Sequence, residues 1–147
     1  MHIIKVGIIT FSDGRECVHR ELLNYTLKSQ ETLVAALKAT KEVEPIAAQE
    51  IVWTAELARD EARRLAALGC EATLFNFSVW SFPHLAVIVT QFAPGPFLLF
   101  SDVNAQYPGM VGMLASAGAL DQIGVFHGRL FGDIRDPEVL RKVLAFV

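Results

Sequence analysis

Residues 3–11 read Ile3-Ile4-Lys5-Val6-Gly7-Ile8-Ile9-Thr10-Phe11, and six of these nine are large and apolar. A β-branched run that is apolar on nearly every position, and not on alternate ones, is the pattern of a strand covered on both faces. It predicts a central strand of a parallel sheet. Downstream, Arg20 to Ala39 carries Leu23, Leu27, Gln30, Val34 and Leu37 at spacings of three and four, the stripe of an amphipathic helix. Val43 to Ile51 reads as a shorter strand, and Pro45 within it puts that strand at a sheet edge, because proline cannot donate to the ladder.

The alternation continues to the end of the chain. Thr54 is placed to cap a helix over Ala55–Leu68, in which Leu57, Glu61 and Leu65 advance by one turn, Asp60 and Arg64 stand at ion-pair spacing, and Gly69 closes the end. Three further pairs follow: strand Ala72–Phe77 with helix Pro83–Phe92, strand Phe97–Ser101 with helix Gly109–Leu120, and strand Gly124–Phe131 with helix Asp136–Phe146. Five strand–helix units in one chain, joined by right-handed crossovers, predict a three-layer flavodoxin-like α/β fold. Its five-stranded parallel sheet is expected in the order 2-1-3-4-5.

The 147 residues suit one domain, 1–147, large enough to bury a core without disulfides or a structural metal. Thirteen basic and sixteen acidic side chains leave a net charge of −3, which argues against a surface built to neutralise nucleic-acid phosphates. Cys17 and Cys70 are too far apart to form a metal or redox motif. The N-terminus shows no export signal, so the expected location is cytoplasmic, and the glycosylation-like triplets at Asn24 and Asn76 carry no weight there.

Charge is spread unevenly. Between Ala72 and Leu120, 49 residues contain one formal charge, Asp102, where a 20% share would place about ten. A membrane span is the first explanation to test, and Asn76, Pro83, His84, Gln91, Pro94, Gly95 and Pro96 break the run too often for it. The remaining explanation is burial by protein. The helix at 83–92 offers only His84, Thr90 and Gln91 to water, and the helix at 109–120 little beyond Ser116, so both are expected to be buried all round. Their outer faces then imply a covering subunit or domain.

In open parallel sheets, ligands sit beyond the carboxyl ends of the strands. The residues at those tips are Ser12 to Arg15, then Asn76, Ser78 and Trp80, then Ser101, Asp102 and Asn104, then Gly132 and Asp133. One glycine in the first loop is too few for a dinucleotide or flavin phosphate site. A receiver domain wants an aspartate and a lysine where Asn76 and Gly132 stand, and no Gly-x-Ser-x-Gly elbow is present. His2, His19, His84 and His127 are scattered, and Asp13 with Asp133 as an ion site competes with Asp13 as a turn residue paired to Arg15. Two residues keep a sharper reading. Arg15 is either a planar fork of donors for a ligand or half of a surface ion pair. Trp80 is either a stacking face for the C–H side of a sugar or a core or interface tryptophan.

Three segments in order resemble the N-terminal domain of the L-fucose isomerase and L-arabinose isomerase superfamily: Ile8 to Arg15 (IITFSDGR), Phe77 to Ser81 (FSVWS) and Pro108 to Ala115 (PGMVGMLA). Gly132 to Pro137 (GDIRDP) resembles the end of that domain, and the likeness is closer to the fucose isomerase side. The resemblance implies a metal-dependent interconversion of an aldose and its ketose through an enediol, with Mn2+ and the catalytic carboxylates carried by later domains. It implies that this domain packs against a neighbouring subunit in a homo-oligomer and helps close its pocket, with Arg15 and Trp80, flanked by Asp13 and Gly14, donated to the sugar. The sequence ends at Val147, which is expected to fall within the last helix. The expectation is therefore a chain that binds no cofactor, holds no acid–base pair and has no isomerase activity alone. The alternative is a stand-alone flavodoxin-like module that binds a small polar ligand, such as a sugar, without chemistry.

Overall fold

The computed structural model describes residues 2–147. Five strands and five helices alternate: β1 (Ile4–Phe11), α1 (Glu16–Thr40), β2 (Val43–Ala47), α2 (Ala55–Ala67), β3 (Ala72–Phe77), α3 (Pro83–Phe92), β4 (Phe97–Ser101), α4 (Gly109–Gln122), β5 (Gly128–Phe131) and α5 (Pro137–Phe146). All pairings are parallel, and the sheet order is β2-β1-β3-β4-β5. Pro45 does lie on an edge strand, opposite Val6.

Side-chain alternation divides the core into two layers. Ile9, Phe11, Phe75, Phe77 and Leu99 point toward α2, α3 and α4. Val6, Ile8, Leu74, Leu98 and Phe100 point the other way, toward α1 and α5. Every residue of β3 and β4 is buried, which accounts for much of the charge-poor stretch between 72 and 120. Among the described residues, no helix is long and apolar enough to cross a membrane.

Caps set the helix ends. The Thr54 hydroxyl accepts from the Leu57 N–H, as its position predicts. Gly69, at φ +78°, closes α2 with Cys70 N–H donating to the Leu65 carbonyl. The same closure ends α4: Gly124, at φ +73°, lets Val125 N–H reach the Leu120 carbonyl. That turn is why α4 runs on to Gln122 and why the last strand starts at Gly128 instead of Gly124.

Other expectations are corrected by packing. The second strand stops at Ala47, four residues short of Ile51, because the chain bends away at Gln49 and Glu50 before Val52 rejoins Phe11 as a single bridge. α1 begins at Glu16, four residues before Arg20, and its buried stripe is Thr26, Gln30, Leu33 and Leu37. Leu27 is exposed, while Thr26 hides its hydroxyl by donating to the Leu23 carbonyl. Arg64 ignores Asp60. It donates to Glu61 at 3.2 Å and to the Ala47 carbonyl at 2.6 Å, tying α2 to the edge strand, and Asp60 pairs with Arg59.

The two uncharged helices differ from each other. α3 is the middle member of its layer, packed between α2 and α4, and Arg63 from α2 lies 4.6 Å over the Phe92 ring. Its lack of charge is thus largely satisfied within the chain. α4 is the outer member, and Ser116, expected on its wet side, is fully buried. Val111 and Leu114 face outward instead. Beyond them, β5 has its α4-side face bare: Phe131 is 61% exposed, and Phe126 in the preceding loop is 79% exposed.

Candidate functional site

β1 ends at Phe11, and the next four residues build a rigid tip. Ser12 N–H donates to the Val52 carbonyl, which pins the loop to the segment leading into α2. The Asp13 carboxylate then accepts three bonds from one residue: Arg15 N–H at 2.9 Å, Arg15 Nε at 2.9 Å and Arg15 Nη2 at 2.6 Å. Its side chain is only 3% exposed, whereas the guanidinium stands mostly in solvent. The hydrogen bonds from Arg15 hold the Asp13 carboxyl below the usual carboxylate range, against the opposing effect of burial. The reciprocal effect raises Arg15. With Nε and one edge of Nη2 committed, Nη1 is left as the free donor, held in one orientation.

An aromatic rim adjoins this tip on the α2/α3 side of the sheet. A Cβ placed on Gly14 would lie 3.1 Å from Phe82 Cδ2 and 3.5 Å from the Trp53 carbonyl, so glycine is what lets the loop pack this closely. Phe82, at the start of α3, meets half-buried Trp80 edge-on, with ring centroids 5.8 Å apart. Exposed His84 lies beside Phe82 at 6.3 Å. Trp53 stacks at 4.8 Å on His19, which burial and the nearby Arg20 charge keep below its ordinary pKa. His19 is therefore a neutral packing residue at neutral pH. Ser12 and Ser78, the first residues past β1 and β3, are buried, and their hydroxyls find no partner among the described residues.

The other side of the same sheet edge holds a cavity of about 480 Å3. Tyr25, Lys28, Ser29 and Thr32 line it from α1, Asn76 and Asp102 from the tips of β3 and β4, and the loop Gly132–Arg135 from beyond β5. Asp133 there clamps Arg135 as Asp13 clamps Arg15. Asp102 is half-buried, and burial pushes its carboxyl up. The Tyr25 hydroxyl donates to Asp102 at 3.4 Å, and its ring centroid lies 4.2 Å from that of Tyr107.

The sequence-derived candidates therefore separate. Asp13, Gly14 and Arg15 form one tip, and Phe82 links it through Gly14 to Trp80 on the next loop. Asn76, Asp102, Asn104, Gly132 and Asp133, also named as strand-tip residues, lie around the cavity on the opposite face. Asp13 and Asp133 do not come together, since each is bound to its own arginine. Among the described residues, no three His, Cys, Asp or Glu side chains converge on a point that suits a metal ion. Sequence reading missed Phe82 and Trp53, which carry no motif, and the α1 wall of the cavity. Tyr25, Lys28, Ser29 and Thr32 do repeat at helical spacing, which is the signal that was available.

A comparison with protein-family models matches residues 3–147 to the one described as L-fucose isomerase, first N-terminal domain. No curated protein matches the chain.

Proposed function

Since the chain belongs to the L-fucose isomerase first N-terminal domain family, we propose that it closes a sugar pocket completed by a neighbouring subunit of an aldose–ketose isomerase. The observation that carries this reading is the pre-set Arg15 guanidinium next to the Trp80–Phe82 rim, open to solvent on one side. A guanidinium held by a buried carboxylate donates to sugar hydroxyls at little further entropic cost. An indole face stacks on the C–H side of the ring. Arg15 and Trp80 thus bind and orient, Gly14 permits the close packing behind them, and Asp13 positions Arg15.

Isomerisation also needs a proton moved between neighbouring carbons; the Asp13 carboxylate at this rim is committed to Arg15, so we assign that proton transfer to the parts that complete the pocket. The Mn2+ implied by the resemblance would polarise the two sugar oxygens, but the donor set described above does not fit it, so we assign no metal step to this chain. The outward Val111, Leu114, Phe126 and Phe131 support a covering polypeptide, because a patch this apolar at the sheet edge is costly to leave in water.

The test is reconstitution. The chain with Mn2+ and either L-fucose or D-arabinose is expected to show no turnover, and turnover by the chain alone refutes the reading. Combined with the remaining domains of such an isomerase, the wild-type chain restores activity, and Arg15→Ala or Trp80→Ala weakens it through kcat/KM. Restoration that both variants leave untouched also refutes it.

A further inference from the structure

The rim leaves the cavity on the α1/α5 side unused, and that cavity has the features of a built site. Asp102 is the single formal charge in 49 residues, and it sits where desolvation is costly, with its Tyr25 bond long at 3.4 Å. Its side chain accepts from the Tyr25 hydroxyl and is opposed by the like charge of Asp133, and among the described residues no salt bridge joins it to a basic side chain. Asn76 is only 2% exposed, and its amide nitrogen donates to Thr10 and Ser29, both at 3.1 Å. The atom it has left to offer is its carboxamide oxygen. A half-buried carboxylate outside any salt bridge and a buried carbonyl with capacity to spare, both in one cavity, ask for hydrogen-bond donors.

We propose that this cavity binds a small neutral polyol, with adjacent hydroxyls donating to Asp102 and to the Asn76 carboxamide oxygen. Charge argues for neutrality. Asp133 is tied to Arg135 by three hydrogen bonds, and the lining carries two acidic side chains, Asp102 and Asp133, against two basic ones, Lys28 and Arg135, so the cavity as a whole presents no net charge to a strong cation or an anion. Hydroxyl groups suit a wall that mixes acceptors with donors from Lys28 and Arg135, because each hydroxyl both donates and accepts. Leu33, Phe100 and Ile134 give the cavity an apolar floor for C–H groups. The volume lies within the usual range for small-molecule sites. This inference does not rest on the Arg15–Trp80 reading, and either can fail without the other.

The experiment follows backbone amide shifts of the chain during titration with ribitol, D-arabinose and L-fucose, alongside ethylammonium, Mg2+ and inorganic phosphate as charged controls. Saturable shifts at Tyr25, Ser29, Asn76, Asp102 and Arg135 with at least one neutral polyol, weakened about tenfold or more by Asp102→Asn, are expected. Asp102→Asn removes a desolvated charge without changing shape, so its melting temperature should be equal to or above wild type. Tyr25→Phe serves as a milder second variant. The proposal is overturned if no neutral polyol shifts these amides, if the shifts survive Asp102→Asn, or if only a charged control binds there. Shifts confined to Arg15, Trp80 and Phe82 support the rim reading and overturn this one.

Discussion

Asp13-Gly14-Arg15 and Asp133-Ile134-Arg135 are the same device built twice at one edge of the sheet. In each, the aspartate accepts from the arginine's backbone N–H at 2.9 Å, from Nε at 2.9 Å and from Nη2, at 2.6 Å in the first and 2.7 Å in the second. Both carboxyls are held below the ordinary range by their arginine. The surroundings differ. Asp13 follows a central strand and is 3% exposed, whereas Asp133 follows the edge strand and is 51% exposed. The residue between also differs: Gly14 admits Phe82 on the α2/α3 face, and buried Ile134 anchors its loop in the α1/α5 core. A spacing of two residues is enough to make the clamp, but only its place in the sheet decides what the free edge of the guanidinium faces.

The sharpest way to break this comparison is in a reconstituted isomerase. Arg15→Ala is expected to lower kcat/KM about a hundredfold, through loss of a charged, oriented hydrogen-bond donor. Arg135→Ala should change it by less than about twofold, within the range of a surface residue. Equal losses from both would show that position does not distinguish the clamps. Next in size are the residues between. Ile134→Ala should destabilise the domain by about 2–4 kcal/mol by leaving a void in the α1/α5 core. Gly14→Ala should cost about 1 kcal/mol, since Phe82 has to yield by a few tenths of an ångström. Urea denaturation measures both.

A third comparison concerns the carboxylates themselves. Asp13→Ala should destabilise by about 1–3 kcal/mol, as expected when a buried acceptor of charged and backbone hydrogen bonds is removed. Asp133→Ala, in solvent, should cost about 0–1 kcal/mol. Because the folded-state pKa of Asp13 is lowered, its contribution is fully present above the ordinary carboxylate value near ~4 and is lost as pH falls through the lowered one. Melting curves of wild type and Asp13→Ala should therefore converge as pH drops from about 5 to about 2. A gap that widens on acidification would contradict the clamp. Smallest is the effect of Phe126→Ser with Phe131→Ser. These residues lie outside the core, so stability should move by no more than about 0.5 kcal/mol, while self-association measured by light scattering falls.

The strand order, the edge position of β2 and both ends of α2 follow from local pattern: a continuous apolar run, a proline, a threonine cap and a closing glycine. The tip residues were legible as well, because a parallel sheet sends its ligand loops to one edge. What was not legible was partnership across the fold. Nothing near Trp80 in the chain announces that Phe82 bridges it to Gly14, and the stripe of α1 was misjudged at Leu27, whose neighbour Thr26 buries itself with a bond to its own helix while Gln30 and Leu37 are buried as expected. Ser116 looked like the wet side of α4 for a similar reason: a lone hydroxyl in an apolar helix marks no face.

Taken alone, the sequence determines the five strand–helix units and their order, and it offers Asp13 as a turn residue paired to Arg15, because each depends on contacts within a few residues or on a periodicity that admits one solution. Only the tertiary structure decided which face of the sheet each clamp serves, that α3 is covered from within while α4 and β5 leave apolar surface outward, and that Asp102 closes a cavity with a helix lying some 75 residues earlier in the chain. Those outcomes depend on side chains from distant segments competing for the same space, and no local pattern records who wins.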